Sequence, residues 1–380
     1  MKVCAIIAEY NPFHKGHEFH IEEVKKFADA IVIILGSDIT QRGEFASFNK
    51  FDRAKAALLK GASLVLELPT IFSCSCAEKF AHGAMNIIKN LNFITHLSFG
   101  SEEGNIKNII KTAKACVDIE KTVEMKYFLK KGYCYPKSRQ LALGKLGRIL
   151  NSPNNILAVE YVKAAIKLKV PISFHTIKRF GAEHNSKKTT ITASSSFIRS
   201  NIENFKTVEK FLTKKTKHLF TNPIKVPDVF IFNSLRQATK KEFENLPDAT
   251  EGLHNRLFKI TKKATSLNNF FNLAKTKRYT LTRLKRIAMY CFLNLNKNNI
   301  PTLPQYSFVL GFNNTGQMLL NKIKKSNFLV TTNFKQIYNK FPVSARIDSN
   351  CCDFVSLFSK KPHSCGVNFK TKPIILSFWN

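Results

Sequence analysis

The chain has 380 residues, 44% of them hydrophobic, enough to build the cores of two or three ordinary globular domains. Sixty lysines and arginines face 26 aspartates and glutamates, and the formal charge of +34 exceeds what solubility requires; even with a lysine-rich composition behind part of it, such a field attracts polyanions. The nine cysteines contain no C-x-x-C pair, the apolar run at the N-terminus is ended early by Glu9, and no segment reaches the roughly 18 apolar residues of a membrane span. A zinc ribbon, a disulfide framework, a signal peptide and a membrane helix are therefore not expected, and the chain reads as a reduced, cytoplasmic protein.

In chain order, "VCAIIA" (3–8), "AIVIIL" (30–35), "SLVLEL" (63–68) and "THLSFG" (95–100) read as strands buried on both faces. Between them lie segments with helical spacing, among them "FNKFDRAKAALLKGA", which sets Phe48, Phe51, Ala54, Ala57 and Leu58 on one face. A strong helix, "NNILAVEYVKAAIKL", precedes a fifth strand candidate, "ISFHTIKR" (172–179). Strand alternating with helix implies a Rossmann-like parallel sheet with right-handed crossovers, whose ligands sit beyond the carboxyl ends of the strands. After about residue 205 strand-like runs become rare and aromatic residues interleave with lysines. Residues 256–295 read as two amphipathic helices joined by a basic turn. A boundary is placed near 200–220, dividing 1–205 from a mostly helical, basic 206–380. In the tail, "FLVTT" and "PIILSFW" are compatible with short strands but receive no assignment.

The first functional candidate follows the first strand, in "AEYNPFHKGHEFH" (8–20), where His14, His17 and His20 surround Gly16. A metal site would need ligands on one continuous helical face, and Gly16 separates His14 from His17. A loop with incidental histidines is the plain alternative. The better reading is a strand ending near Ala8, a turn at "NPF", and a helix starting close to His17. Helix amides and imidazole N–H groups would then meet phosphate oxygens.

"NPFHKGH" after a first strand resembles the H-x-G-H signature of the HIGH-type nucleotidyltransferase superfamily, whose members attack the α-phosphate of a nucleoside triphosphate. A serine-rich turn followed by isoleucine and arginine, the second signature, is matched by "TASSSFIRS" (192–200) with Ser194, Ser195, Ser196, Ile198 and Arg199. Further segments, "SDITQRGEFA", "GASLVLELP", "LSFGSE", "SPNNILAVEYVKA", "IKRFGAEHN", "EGLHNRL" and "KTKRYTLTRLKRI", resemble in that order the bacterial tRNA(Met) cytidine acetate ligases. The likeness runs from about residue 1 to 290. It departs at Asp38, where asparagine is expected, and at Phe45, where proline is expected.

The resemblance implies a ligase that activates acetate with ATP, with Mg2+ accompanying it, to acetyl-adenylate and acetylates N4 of the wobble cytidine of elongator tRNA(Met). It implies an ATP-binding catalytic part at 1–205 and a tRNA-binding part at 206–380. His14 and His17 are the implied catalytic pair. The implied ATP pocket comprises Ile7, Ala8, Glu9, Tyr10, Asn11, Pro12, Phe13, His14, Lys15, Gly16, His17, Glu18, Phe19 and His20, with Gly100, Ser101, Asn155, Lys178, Arg179, Ser195, Ser196 and Arg199. Gln41, Arg42 and Glu44 follow the second strand and serve either a substrate or the loop itself. Lys275, Lys277, Arg278, Tyr279, Arg283 and Arg286 form a dense basic stretch suited to RNA phosphates and one stacking contact. Two other functions remain open at this level: a small-molecule adenylyltransferase, and a non-catalytic RNA-binding protein with a degenerate nucleotide fold. The oligomeric state and the means of tRNA selection are not legible.

Overall fold

The computed structural model describes residues 1–179, 193–323 and 328–377. The four apolar runs and the fifth candidate all form strands: β1 (Val3–Ala8), β2 (Ala30–Gly36), β3 (Leu64–Leu68), β4 (His96–Ser101) and β5 (Ser173–Lys178). They pair in parallel in the order β5-β4-β1-β2-β3. Every residue of β2 and β3 is buried, which is why these strands read as unbroken apolar runs rather than alternations. From β1 the chain steps outward to β2 and β3, then crosses to the opposite side of β1 for β4. Strand order therefore reverses between β1 and β4, and the crevice beyond their carboxyl ends is the natural ligand position.

Alternate strand residues feed two cores. On one face Cys4, Ile6, Ile31 and Ile33 pack against Ile21 and Val24 of α1 (Lys15–Lys25) and Ala54 and Leu58 of α2 (Lys50–Leu59). On the other, Val3, Ala5, Val32 and Ile34 meet the Ala77–Leu91, Ile106–Ile119 and Pro153–Leu168 helices. Asn49 caps α2 by accepting from Asp52 N at 2.8 Å. Helical spacing had put only apolar residues on the inner face of α2, but Lys50 and Arg53 are buried as well, Lys50 Nζ reaching Glu67 at 2.8 Å.

The 256–295 stretch folds as three helices instead of two: Leu253–Lys263, Leu267–Ala274 and Leu281–Phe292. Ser266 makes the extra break, starting a new helix by accepting from Asn269 N at 3.1 Å. With the Asp228–Gln237 helix they enclose a third core containing Leu235, Leu257, Phe270, Leu284 and Ile287. Beyond this helical module the chain returns to the sheet. Strand β6 (Tyr306–Asn313) runs antiparallel to β3, and both β7 (Leu329–Thr331) and β8 (Ile374–Leu376) lie parallel to β6. The two unassigned tail runs thus supply β7 and β8, with Phe378 and Trp379 outside the described residues. The sheet draws strands from both sides of residue 205. No helix among the described residues is long and apolar enough to cross a membrane.

The loop after β2 fastens the helical module to the sheet. Gly43 has φ +75°, and a β-carbon there would lie 2.6 Å from Arg286 N, so only glycine lets this turn meet the Leu281–Phe292 helix. Next to it Glu44 pairs with Lys285, and Phe45 meets the Phe292 ring edge-on at 5.5 Å. The residue that departs from the expected proline is therefore a packing residue.

Candidate active site

Helix α1 starts where β1 has just ended at the strand-order reversal, and its first turn is built from the histidines. His14 is the N-cap: its Nδ1 accepts from Gly16 N at 3.0 Å, while His17 Nδ1 accepts from His14 N at 3.3 Å. Because both Nδ1 atoms are acceptors, each neutral imidazole carries its proton on Nε2. The rings stack at 3.8 Å, with Tyr10 and Phe13 walling His17 at 4.8 and 5.6 Å. A β-carbon on Gly16 would sit 2.9 Å from His14 Cε1, so the absence of a side chain there makes room for the imidazole.

The expectation that α1 offers free amides is corrected by this arrangement. Lys15 N donates to Phe211 O at 3.0 Å, and Gly16 N is taken by His14. What the helix start presents is the Nε2–H of His17, with that of His14 turned to the second motif. Burial, then the positive fields of Arg179 and Arg199, pushes the His14 imidazole down to about 3. Burial also holds His17 well below its ordinary value, reinforced by His14, Arg179 and His20. Both rings are therefore neutral donors at physiological pH.

The second motif arrives at the same point. His14 Nε2 donates to Ser195 Oγ at 3.0 Å across 181 positions of sequence. Ser194 caps the short Ser195–Ser200 helix by accepting from Phe197 N at 3.1 Å. Arg199 reaches back to Asn11 O at 3.0 Å and to Ser196 Oγ at 3.3 Å. Arg179, immediately after β5, lays its aliphatic stem over Gly100 at the end of β4. The remainder of the "IKRFGAEHN" segment, residues 180–185, lies outside the described residues.

Other expected pocket residues divide by role. Ile7, Tyr10, Asn11 and Phe13 are buried beneath the cradle, Ala8 and Pro12 complete the turn above β1, and Asn11 Oδ1 accepts from Ser47 N at 2.8 Å. Ser101 Oγ accepts from Gly104 N at 3.0 Å, and Asn155 Oδ1 accepts from Glu102 N and Glu103 N, both at 2.9 Å. Ser101 and Asn155 thus shape the turn after β4. Lys178 packs its stem against Gly104 and stays exposed. Glu18 pairs with Lys60, and Phe19 is 45% exposed. His20 Nε2 is bonded to Ser98 Oγ at 2.8 Å, and Ser98 Oγ lies 3.3 Å from His175 Nδ1, so this ring is committed to the sheet.

Two supports hold the site: the first joins Glu9 to Gln41, which serves the loop itself, and the second, Arg53, sequence reasoning missed. Glu9 Oε1 accepts from Gln41 N at 2.6 Å, and Gln41 Nε2 donates to Ser75 O at 3.1 Å, linking the ends of β1, β2 and β3. Arg53, fully buried, donates to Glu9 O, Gly36 O, Ser37 O and Phe48 O at 2.7 to 3.0 Å. A charged residue on an otherwise apolar helical face was the one signal available.

In the basic stretch, Lys275, Lys277 and Arg278 are exposed, with Lys277 Nζ 3.8 Å from the Tyr133 ring centre. Tyr279 is buried, its hydroxyl donating to Glu251 O at 3.3 Å, so the anticipated stacking face is already covered. Arg283 donates to Asp248 O at 2.7 Å, and Arg286 is buried at 7% exposure. The exposed cations and Tyr279 lie in the 275–280 connection between two helices, whereas Arg283 and Arg286 lie on the Leu281–Phe292 helix, whose inner face carries Arg286 against the core.

The depressed histidines have a consequence for stability. A histidine with an ordinary value of 6.5 unfolded and about 3 folded, as at His14 and His20, binds its proton only on unfolding. Its contribution is complete above pH 6.5 and is lost as pH falls toward 3. The melting temperature is expected to fall steadily from pH 6.5 downward, and His20→Ala to flatten that fall. A slope identical in wild type and variant would show that the buried ring does not couple to folding.

A profile of the HIGH Nucleotidyl Transferase family matches residues 1–367. The tRNA(Met) cytidine acetate ligase of Clostridium tetani is 35% identical over 99% of this chain and 100% of that protein. The protein of the same name from Clostridium novyi is 36% identical over the same shares. The crystal structure of Thermotoga maritima TmcAL bound with alpha-thio ATP superposes with a TM-score of 0.89 at 28% identity, covering 100% of both chains. With the two signatures joined at the β1/β4 reversal, these similarities establish that the chain belongs to the tRNA(Met) cytidine acetate ligase family of HIGH nucleotidyl transferases.

Proposed function

We propose that this chain is an ATP-dependent ligase that activates acetate as acetyl-adenylate and acetylates N4 of the wobble cytidine of elongator tRNA(Met). The observation that carries the nucleotide half is the His14 Nε2 to Ser195 Oγ contact of 3.0 Å, which unites both signatures beyond the carboxyl end of β1. An acetate oxygen attacks the α-phosphorus, the bond to the β-phosphate oxygen breaks, and pyrophosphate leaves. The cytidine N4 amine then attacks the acetyl carbon, AMP departs, and N4 loses a proton.

The side chains divide the work in the first step. His17 donates its neutral Nε2–H to a phosphate oxygen as negative charge grows there, His14 does so when its Nε2–H turns from Ser195 Oγ to the phosphate, and Arg179 and Arg199 supply the formal positive charge. Ser195 and Ser196 add hydroxyl donors for the far phosphates. Keeping the imidazoles neutral spares the site two more buried cations beside two guanidiniums. Mg2+ accompanying ATP would be held chiefly by phosphate oxygens, the usual arrangement for that ion; the described residues contain no group of three or more His, Cys, Asp or Glu side chains placed for a metal. Exposed Lys275, Lys277 and Arg278 offer phosphate contacts to the RNA, whose anticodon loop already leaves the wobble base unpaired. The nine cysteines are all free thiols, in keeping with work in a reducing cytoplasm.

Incubation with ATP, radiolabelled acetate and bulk tRNA tests the reading. Acid-stable label in tRNA, recovered as N4-acetylcytidine, is the expected result. ATP turnover on a phosphorylated metabolite without tRNA labelling would point instead to a small-molecule adenylyltransferase. Tight RNA binding without any turnover would point to a non-catalytic RNA-binding protein.

A further inference from the structure

A cleft of about 820 Å3 opens between the sheet and the helical module, walled by Phe72, Ser75 and Tyr135 on one side and Thr250, Arg283 and Arg286 on the other. Its volume falls in the range of small-molecule and nucleotide sites. The charges lining it are almost all satisfied within the protein. Glu78 holds Lys163 at 3.0 Å and Lys167 at 3.3 Å, Glu160 holds Lys163 at 2.9 Å, and Asp248 faces Lys79 at 3.5 Å. Arg278 pairs with Glu251 at 3.2 Å, Arg283 is spent on Asp248 O and Thr250 Oγ1, and Lys297 Nζ donates to Glu244 O at 2.9 Å.

Arg286 is the exception. It is 7% exposed, and among the described residues its guanidinium makes no hydrogen bond and no ion pair, with Nε fully buried and without an acceptor. Only Nε is shut off from solvent; the two terminal nitrogens, unbonded among the described residues, remain accessible at the cleft that Arg286 lines and are free to take an anion. The neighbouring chemistry narrows the choice. Arg278, at the same cleft, belongs to the exposed basic stretch that starts at Lys275, so positive charge runs from the surface inward. On the other side Ser75 of the cleft wall accepts from Gln41 Nε2, and Gln41 N donates to Glu9 beside the ATP cradle, so two hydrogen bonds connect cleft and cradle.

We infer that this cleft is a second binding subsite, in which Arg286 grips a phosphodiester of the single-stranded RNA segment that is carried toward the acetyl donor. The inference rests on the tRNA acetylation reading and adds a specific anchor to it. A planar guanidinium suits bidentate contact with two phosphate oxygens, and the anchor sets the register of the strand without reading a base.

The test uses the full chain with Arg286→Met and Arg286→Lys, and a methionine tRNA transcript as probe, titrated by fluorescence anisotropy from 50 to 200 mM salt, a range over which phosphate contacts are resolved. Arg286→Met is expected to weaken binding about tenfold, about 1.4 kcal/mol. It should also reduce the slope of log affinity against log salt by about 0.7 to 0.9, one phosphate contact. Arg286→Lys should restore the slope. The melting temperature of Arg286→Met should equal or exceed that of wild type, since no internal bond is removed. Unchanged affinity and slope overturn the inference; so does a lowered melting temperature with a slope that lysine fails to restore, which would mark an internal structural role. Acetate-dependent ATP–pyrophosphate exchange by wild type is measured alongside. Its absence would sink the ligase reading, whereas a lost salt contact would still locate RNA in the cleft.

Discussion

His17→Ala is expected to lower acetyl-adenylate formation by about two to three orders of magnitude while leaving tRNA affinity near its wild-type value, because the variant removes one fixed donor to the reacting phosphate. The tautomer decides which nitrogen is free to donate. His17 Nδ1 is occupied by His14 N at 3.3 Å, which leaves Nε2–H with no acceptor among the described residues and available to a ligand. Acetate-dependent pyrophosphate exchange measures this step without RNA. His17→Gln should recover part of the rate, since an amide N–H can stand near the same position. A charge-based role would behave differently: were the ring required as a cation, the wild-type rate would rise as pH fell through 6.5, whereas rings depressed by burial give no titration there. Normal exchange by His17→Ala would remove the residue from the mechanism.

The sheet was legible for a definite reason. Strands buried on both faces leave continuous apolar runs, and β1 to β4 were each found this way, whereas β5, half-exposed, was found from the strong helix that precedes it. Strand β6 obeys the same rule, with seven of its eight residues buried, yet "YSFVLGFN" lies in a stretch where lysine-rich helices dominate and no preceding crossover announces it. Its place beside β3 depends on a contact between residues about 240 positions apart, which local pattern does not encode. Within the site, His14, Ser195 and Arg199 were legible because their chemistry and order form a recognisable pair of signatures. The blocked amides at Lys15 and Gly16 were not, since one acceptor, Phe211 O, comes from a distant loop. Tyr279 and Arg286 were read as surface residues because charge spacing shows which residue types cluster and says nothing of which side chains meet a neighbour.

Arg53→Leu is expected to cost at least about 4 kcal/mol, a large part of the stability of an ordinary domain. The side chain is fully buried and is the sole side-chain donor among the described residues to Glu9 O, Gly36 O, Ser37 O and Phe48 O. Leucine fills much of the volume but removes the one side-chain donor these carbonyls have, each lost bond worth about 1–3 kcal/mol with incomplete additivity. Lysine keeps the charge, yet a single ammonium cannot reach acceptors spread across three chain segments, so Arg53→Lys should recover only a minor fraction. Urea midpoints for the three proteins supply the measurement, and a Leu variant within 1 kcal/mol of wild type would show that water or a local shift satisfies the carbonyls. Two of those acceptors lie at the ends of the loops that carry Glu9 and Ser37, directly beneath the nucleotide cradle. The same substitution should therefore raise KM for ATP even under conditions where the protein remains folded, because the guanidinium fixes the spacing between β1 and β2 on which the position of His14 depends.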